Sequence, residues 1–176
     1  MKVARKQTGF TLLELMITVV ILVILVSIGV PSYQSAVRNN CAVSGGNSML
    51  SLLVLAKSEA QRRGRSITVC PSNSAGDGCA ASATDWSVGL VAYVDVDKDH
   101  SFDSGEELIR SITPLSTCSA ITTNLGSYLS FDSLAKPGNQ GNFTITPNGQ
   151  SQIKRKLVVS QPSKLRICNP ATDSTC

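Results

Sequence analysis

The sequence predicts an α+β chain. One long N-terminal helix, its first half membrane-spanning, packs through its second half on a small, mostly antiparallel β domain of two sheets held by disulfides. Three observations carry that reading. Residues 10–37 are almost wholly apolar and hold a single charge, Glu14. After Arg110 only alternating or β-branched runs remain, divided by Pro114, Pro137-Gly138, Pro147-Asn148-Gly149 and Pro162, which is a pattern of strands and turns. The chain also carries six cysteines, an even number that suits disulfide pairing.

The helix comes first. About twenty apolar residues in a helix cross the hydrocarbon core of a bilayer, so residues 10–37 are long enough to span it. Lys2, Arg5 and Lys6 precede this stretch and no base follows until Arg38, which keeps the N-terminus in the cytoplasm and puts everything from Arg38 onward outside it. The Glu14 carboxylate costs a few kcal/mol in that setting unless something pairs with it. Pro31 is expected to kink or fray the helix. Beyond it, Tyr33, Val37, Cys41, Met49, Leu52, Leu53, Ala56 and Ala60 fall largely on one stripe, weakened in the middle by Gly45-Gly46. Arg62 and Arg63 suit the last turn and Gly64 the C-cap, so the helix runs from about residue 10 to residue 63. The divisions that follow are a leader at 1–9, a membrane part at 10–37, an amphipathic half at 38–64 and a β domain at 65–176.

The β domain is expected to contain strands at 89–94, 121–131, 142–146, 152–159 and 164–168. With the exported side outside the cytoplasm, six cysteines read as three disulfides, for which fifteen connectivities exist. Closure of short loops favours Cys70–Cys79 and Cys168–Cys176, leaving Cys41–Cys118 to tie the helix to the sheet. No Cys-x-x-Cys occurs, which argues against zinc and thiol redox chemistry.

Charge is polarised along the chain. The formal net charge is +4, but removing Lys2, Arg5 and Lys6 leaves 13 bases against 12 acids. Residues 71–107 hold eight acids and only Lys98 as a base, whereas residues 151–176 hold five bases and only Asp173 as an acid. Within the acidic part, Asp95, Asp97, Asp99, Ser101, Asp103 and Glu106 stand at the spacing of an EF-hand loop. His100 occupies the position where that loop wants Gly, and a strand rather than a helix precedes it. The expectation is therefore a solvated acidic turn with no cofactor, calcium being the alternative.

In the basic part, strand alternation puts Lys164 and Arg166 together on an exposed face, roughly 6.6 Å apart, with Leu165 and Ile167 turned to the core. Lys154 and Lys156 share the exposed face of the preceding strand, and Ile153, Leu157 and Val159 its buried face. Two such strands form a stripe complementary to phosphates. No aromatic residue interleaves them, so any nucleic-acid binding is electrostatic and without sequence preference. The alternative is a solvated edge whose lysines discourage strand pairing. His100 is the only histidine and is expected to be an exposed turn residue. There is no Gly-x-Ser-x-Gly and no phosphate loop, so the chain does not read as an enzyme.

Residues 2–14, K-V-A-R-K-Q-T-G-F-T-L-L-E, resemble the class III signal of type IV pilins and type II secretion pseudopilins. The resemblance implies cleavage by a prepilin peptidase between Gly9 and Phe10, N-methylation of Phe10, and a helix retained in the mature protein. The new α-amine of Phe10, in the same or a neighbouring subunit, is then the partner of Glu14 during assembly. Residues 50–70, with A-K-S-E-A-Q-R-R-G leading into a strand, and residues 86–110, an apolar strand, an acidic turn and E-E-L-I-R, are similar to the FimT/FimU and GspH group of minor pilins and pseudopilins.

That likeness implies a single-pass protein of the bacterial inner membrane with its C-terminal domain in the periplasm. It implies a minor pilin at or near the tip of a pilus, with other minor pilins and the major pilin as partners. A GspH-type minor pseudopilin of a type II secretion system is the alternative. Some FimT-type minor pilins bind DNA for natural transformation through Gly-Arg-x-Arg on the last strand. The matching positions here are Ser163-Lys164-Leu165-Arg166, which keep the charge but lose one bidentate group.

Overall fold

A computed structural model describes residues 10–80, 84–112, 118–148, 150–152 and 154–176. The chain forms two compact units, Met1–Val37 and Arg38–Cys176. Helix α1, Leu12–Arg63, belongs in part to each. In the first unit its large apolar side chains, from Leu12 to Val37, are exposed. Pro31 lies inside this helix, which continues through it rather than fraying.

In the second unit α1 buries Ala42, Gly45, Gly46, Met49, Leu52, Leu53, Ala56 and Ala60. The expected stripe is thus corrected at its start. Tyr33 and Val37 belong to the first unit and are exposed, and the buried stripe begins at Ala42. Gly64 ends the helix at φ +63, a left-handed value that suits glycine.

Two antiparallel sheets follow. The first has the order β3-β2-β1-β5, with β1 at Ser66–Pro71, β2 at Leu90–Asp95, β3 at Leu108–Ile112 and β5 at Leu129–Phe131. The second has the order β4-β6-β7-β8, with β4 at Ser119–Thr123, β6 at Gly141–Pro147, β7 at Arg155–Ser160 and β8 at Lys164–Cys168. The apolar run at 121–131, expected as one strand, is two strands in different sheets. The break is at residues 124–128, where Gly126 takes φ +84 and Thr123 Oγ1 accepts the Leu125 amide at 3.0 Å. Strand β7 starts at Arg155, later than its apolar run suggests. Pro114, Gly149 and Ile153 lie outside the described residues.

Both sheets and the helix share one core. Ile67, Val69, Leu90, Ala92 and Val94 enter it from the first sheet, and Ile121, Phe143, Ile145, Leu157 and Val159 from the second. Trp86 joins the two. It is fully buried, meets Phe143 edge-on at 4.8 Å, and donates its indole N–H to the Gly126 carbonyl at 2.9 Å. A Cβ on Gly46 would meet Ile145 Cδ1 at 2.9 Å and Ile167 Cδ1 at 3.1 Å, so the glycine that weakens the helix also lets the second sheet approach it. Strand β2 is buried along its whole length, because Val91 and Tyr93 turn away from the helix and pack with Cys70, Cys79 and Phe102.

The cysteines pair as Cys41–Cys118, Cys70–Cys79 and Cys168–Cys176, with Cα separations of 6.3, 5.6 and 5.9 Å.

Candidate functional site

Three places on the chain concentrate chemistry. At the start of α1, the Glu14 amide donates to Thr11 Oγ1 at 3.2 Å and the Thr11 amide to Glu14 Oε2 at 3.4 Å. These reciprocal bonds are a capping box, which satisfies orphan donors at the helix N-terminus. The carboxylate also stands at the positive end of the helix dipole. Phe10, one residue before the box, is exposed. Gly9 and the bases of the leader lie outside the described residues.

The second place is the outer face of the second sheet. Lys156 stands opposite Cys168, Val158 opposite Arg166 and Ser160 opposite Lys164. Opposed residues share a face, so Lys156, Lys164 and Arg166 all lie on the side away from the helix. Lys154, two residues before Lys156 and ahead of the strand, has the same parity. The last residues of the chain fold back over this face. Cys176 is tied to Cys168, and its carbonyl accepts from Lys156 Nζ at 2.9 Å. Asp173 pairs with Arg166, which also donates to Thr175 Oγ1 at 2.8 Å. The Thr175 hydroxyl and amide, and then Arg166, hold the Asp173 carboxyl below its ordinary range. Two of the four bases are therefore already partnered by the C-terminal segment. Lys154 and Lys164 form no ion pair among the described residues, and Lys164 is exposed.

The third place is the loop between β2 and β3. Asp95 closes β2 and its side chain has no exposure to solvent. Its Oδ2 accepts from Thr68 Oγ1 at 2.7 Å and lies 3.0 Å from His100 Nδ1, while its Oδ1 is buried without a hydrogen-bond partner. His100 is not the exposed turn residue that was expected: it is half-buried and stacks on Tyr128 at 4.0 Å. Asp97 and Asp99 are exposed, and each accepts the amide two residues on. Glu106 bonds the amides of Val96 and Asp103, at 2.8 and 3.1 Å. Burial, with Asp95 and Glu106 nearby, pushes the Tyr93 phenol well above its ordinary range. Beside the loop is a cavity of about 730 Å³, lined by charges of both signs that include Arg65, Asp95, Lys98, Asp132 and Lys136.

The sequence profile of the family described as Type II transport protein GspH matches residues 46–163. This chain belongs to the GspH family. The prokaryotic N-terminal methylation motif matches residues 4–30, which marks the prepilin-type signal. Among solved structures, the type IV minor pilin FimU of Pseudomonas aeruginosa is similar, with a TM-score of 0.59 at 19% identity over 76% of this chain and 92% of that one. The minor pseudopilin EpsH of the Vibrio cholerae type II secretion system is similar too, with a TM-score of 0.54 at 15% identity over 76% of this chain and 99% of that one. At these identities the likeness is one of fold. No curated protein matches the chain significantly by sequence. The chain is thus a GspH-family protein that carries a prepilin-type N-terminal methylation motif and shares its fold with FimU and EpsH.

Three features of this GspH-family chain escaped the reading of its sequence. The capping box is written in the sequence as Thr-x-x-Glu, whereas Glu14 reads there as a membrane charge and as the assembly partner of the Phe10 amine. The partnering of Lys156 and Arg166 depends on where the chain end folds, for which Asp173 beside a terminal cysteine is the only local sign. The burial of Asp95 follows from Thr68 and His100 closing over it, and no local pattern announces that.

Proposed function

We propose that this GspH-family chain is a minor pilin, an assembly subunit at or near the tip of a type IV pilus. A prepilin peptidase cuts between Gly9 and Phe10 and methylates Phe10. The processed chain is held in the bacterial inner membrane with its C-terminal domain in the periplasm, and then joins other minor pilins and the major pilin. One observation carries this reading: the first unit of α1 is apolar and exposed on all sides except for one carboxylate in its first turn. Such a helix is stable in lipid or in a bundle of like helices and can move between the two. The Phe10 α-amine, charged near neutral pH, guides the transfer by pairing with Glu14 of the same or a neighbouring subunit. The test is Glu14→Leu in the full chain. Membrane insertion stays normal and incorporation into the fibre falls, whereas normal incorporation overturns the mechanism. Incorporation only into a secretion pseudopilus selects the alternative, a GspH-type pseudopilin of a type II secretion system.

The shared outer face of Lys154, Lys156, Lys164 and Arg166 favours a second role, capture of DNA for natural transformation. The contacts are with phosphates and independent of sequence. The measurement is DNA binding by the oxidised chain at about 50 and about 200 mM salt, beside Lys154→Ala/Lys164→Ala. Salt-sensitive binding that the double variant loses supports the role. Absence of binding at low salt leaves the face as an ordinary surface or a subunit contact.

A further inference from the structure

The loop at residues 95–106 has two properties that conflict in the protein alone. Asp95, Asp97 and Asp99 each bring a carboxylate oxygen within 4.8 Å of the other two. Carboxylates this close repel one another unless a positive charge stands between them. Asp95 is also fully buried, yet only one of its oxygens is satisfied. Thr68 and His100 both act on Oδ2, and Oδ1 has no donor. Buried carboxylate oxygens ordinarily have partners, and one without them points to something that supplies positive charge. The nearby bases do not supply it. Lys98 forms no ion pair among the described residues, and the imidazole of His100 is on Oδ2.

We propose that this loop is a divalent-cation site, with Asp95, Asp97 and Asp99 as its carboxylate ligands and calcium as the ion that fits best. A cation beside the three oxygens satisfies Oδ1 and removes the repulsion together. The alternation of the three aspartates continues to Ser101, at the position where an EF-hand loop offers a backbone carbonyl. His100 takes φ +65, so the position that such loops give to glycine has the left-handed backbone they require even though the residue is not glycine.

The all-oxygen donor set argues against zinc, which prefers nitrogen and sulfur. Irregular geometry and several carboxylates suit calcium better than magnesium, which demands a near-ideal octahedron. Glu106, at the position of the usual bidentate ligand, spends its oxygens on the amides of Val96 and Asp103. The site is therefore completed by water and binds weakly, with Kd on the order of 10⁻⁴–10⁻³ M, as in extracellular calcium modules.

The test uses the full oxidised chain in detergent micelles. Calorimetric titration with calcium gives a saturable one-to-one isotherm, and magnesium binds more weakly. Asp97→Asn/Asp99→Asn, at two exposed positions, lowers calcium affinity by about tenfold or more. Terbium luminescence excited through the tyrosines rises on binding and is displaced by calcium, and it reads the site without relying on any variant. The wild-type thermal midpoint rises with calcium, while that of the double variant does not. Absence of saturable calcium binding up to about 10 mM, ten times the weak end of the expected range, overturns the proposal. Binding that the double variant retains in full overturns it as well.

Discussion

The two sheets of the C-terminal unit carry opposite charge and deal with it in opposite ways. On the second sheet, strands β7 and β8 bring Lys156 and Arg166 to one face, and the chain end returns to meet them with its own carbonyl, Asp173 and Thr175. On the first sheet, the β2–β3 loop gathers Asp95, Asp97 and Asp99, and Thr68 and His100 both approach the same oxygen of Asp95, leaving its other buried oxygen bare. The same sequence motif, like charges at alternate positions, is thus closed by the chain in one case and left open in the other. The difference teaches where to look for a partner. A charge cluster that the chain neutralises itself is a structural device, and one that it buries but does not satisfy asks for something from outside.

That contrast can be broken at the junction of the sheets. Trp86→Ala removes the buried ring that meets Phe143 and costs about 3–5 kcal/mol of unfolding free energy, measured by chemical denaturation of the oxidised chain. Both sheets share one core, so probes in each report a single transition; two separated transitions would show that the faces are independent units.

A smaller effect separates them. Cys168→Ser/Cys176→Ser opens a loop with a sequence separation of 8 and costs about 2–3 kcal/mol. Amide spectra should change around β7, β8 and the freed C-terminal residues while β1 and β2 stay in place. The released Arg166 and Lys156 raise low-salt affinity for polyanions. Unchanged polyanion affinity in this variant would mean that the chain end does not cover the basic face.

The smallest effect lies beside the acidic loop. The hydrogen bonds from Arg62 and Arg63 lower the Glu59 carboxyl from 4.5 to about 2, and Arg63 reaches on to Glu107 at 2.6 Å. The folded state therefore binds fewer protons than the unfolded chain. Its contribution to stability is complete above pH 4.5 and is lost as the pH falls toward 2. Glu59→Gln flattens that part of the curve of thermal midpoint against pH. Arg62 is exposed, so solvent screens the pair and the slope is shallow. An identical acid profile in the variant would remove this ion pair from the account.

The sequence made the helix, the β-rich remainder and the acidic and basic stretches legible because each depends on local chemistry. Residues 12–37 announce themselves by hydropathy, Gly64 by its backbone freedom and Lys164–Cys168 by alternation. The division of the run at 121–131 was not legible in this way. Ile121 and Leu129 are both apolar β-formers, and only the fold decides that they serve different sheets. Tyr33 and Val37 continue the periodicity of the buried stripe, yet the sheets begin to cover the helix only at Ala42. At the acidic loop the spacing of the aspartates was visible, whereas the burial of Asp95 rests on Thr68, which is far away in sequence and adjacent in space.

The narrow gap at Gly46 has a consequence in time. The helix backbone there is met by Ile145 and Ile167, so it faces residues from nearly the opposite end of the chain. Cys41 likewise waits across a separation of 77 residues for Cys118. In order of synthesis this apolar face of the helix is made before β6 and β8, the strands that supply Ile145 and Ile167 to cover it. Contacts this distant in sequence form slowly, and the uncovered surface in the meantime is prone to wrong associations.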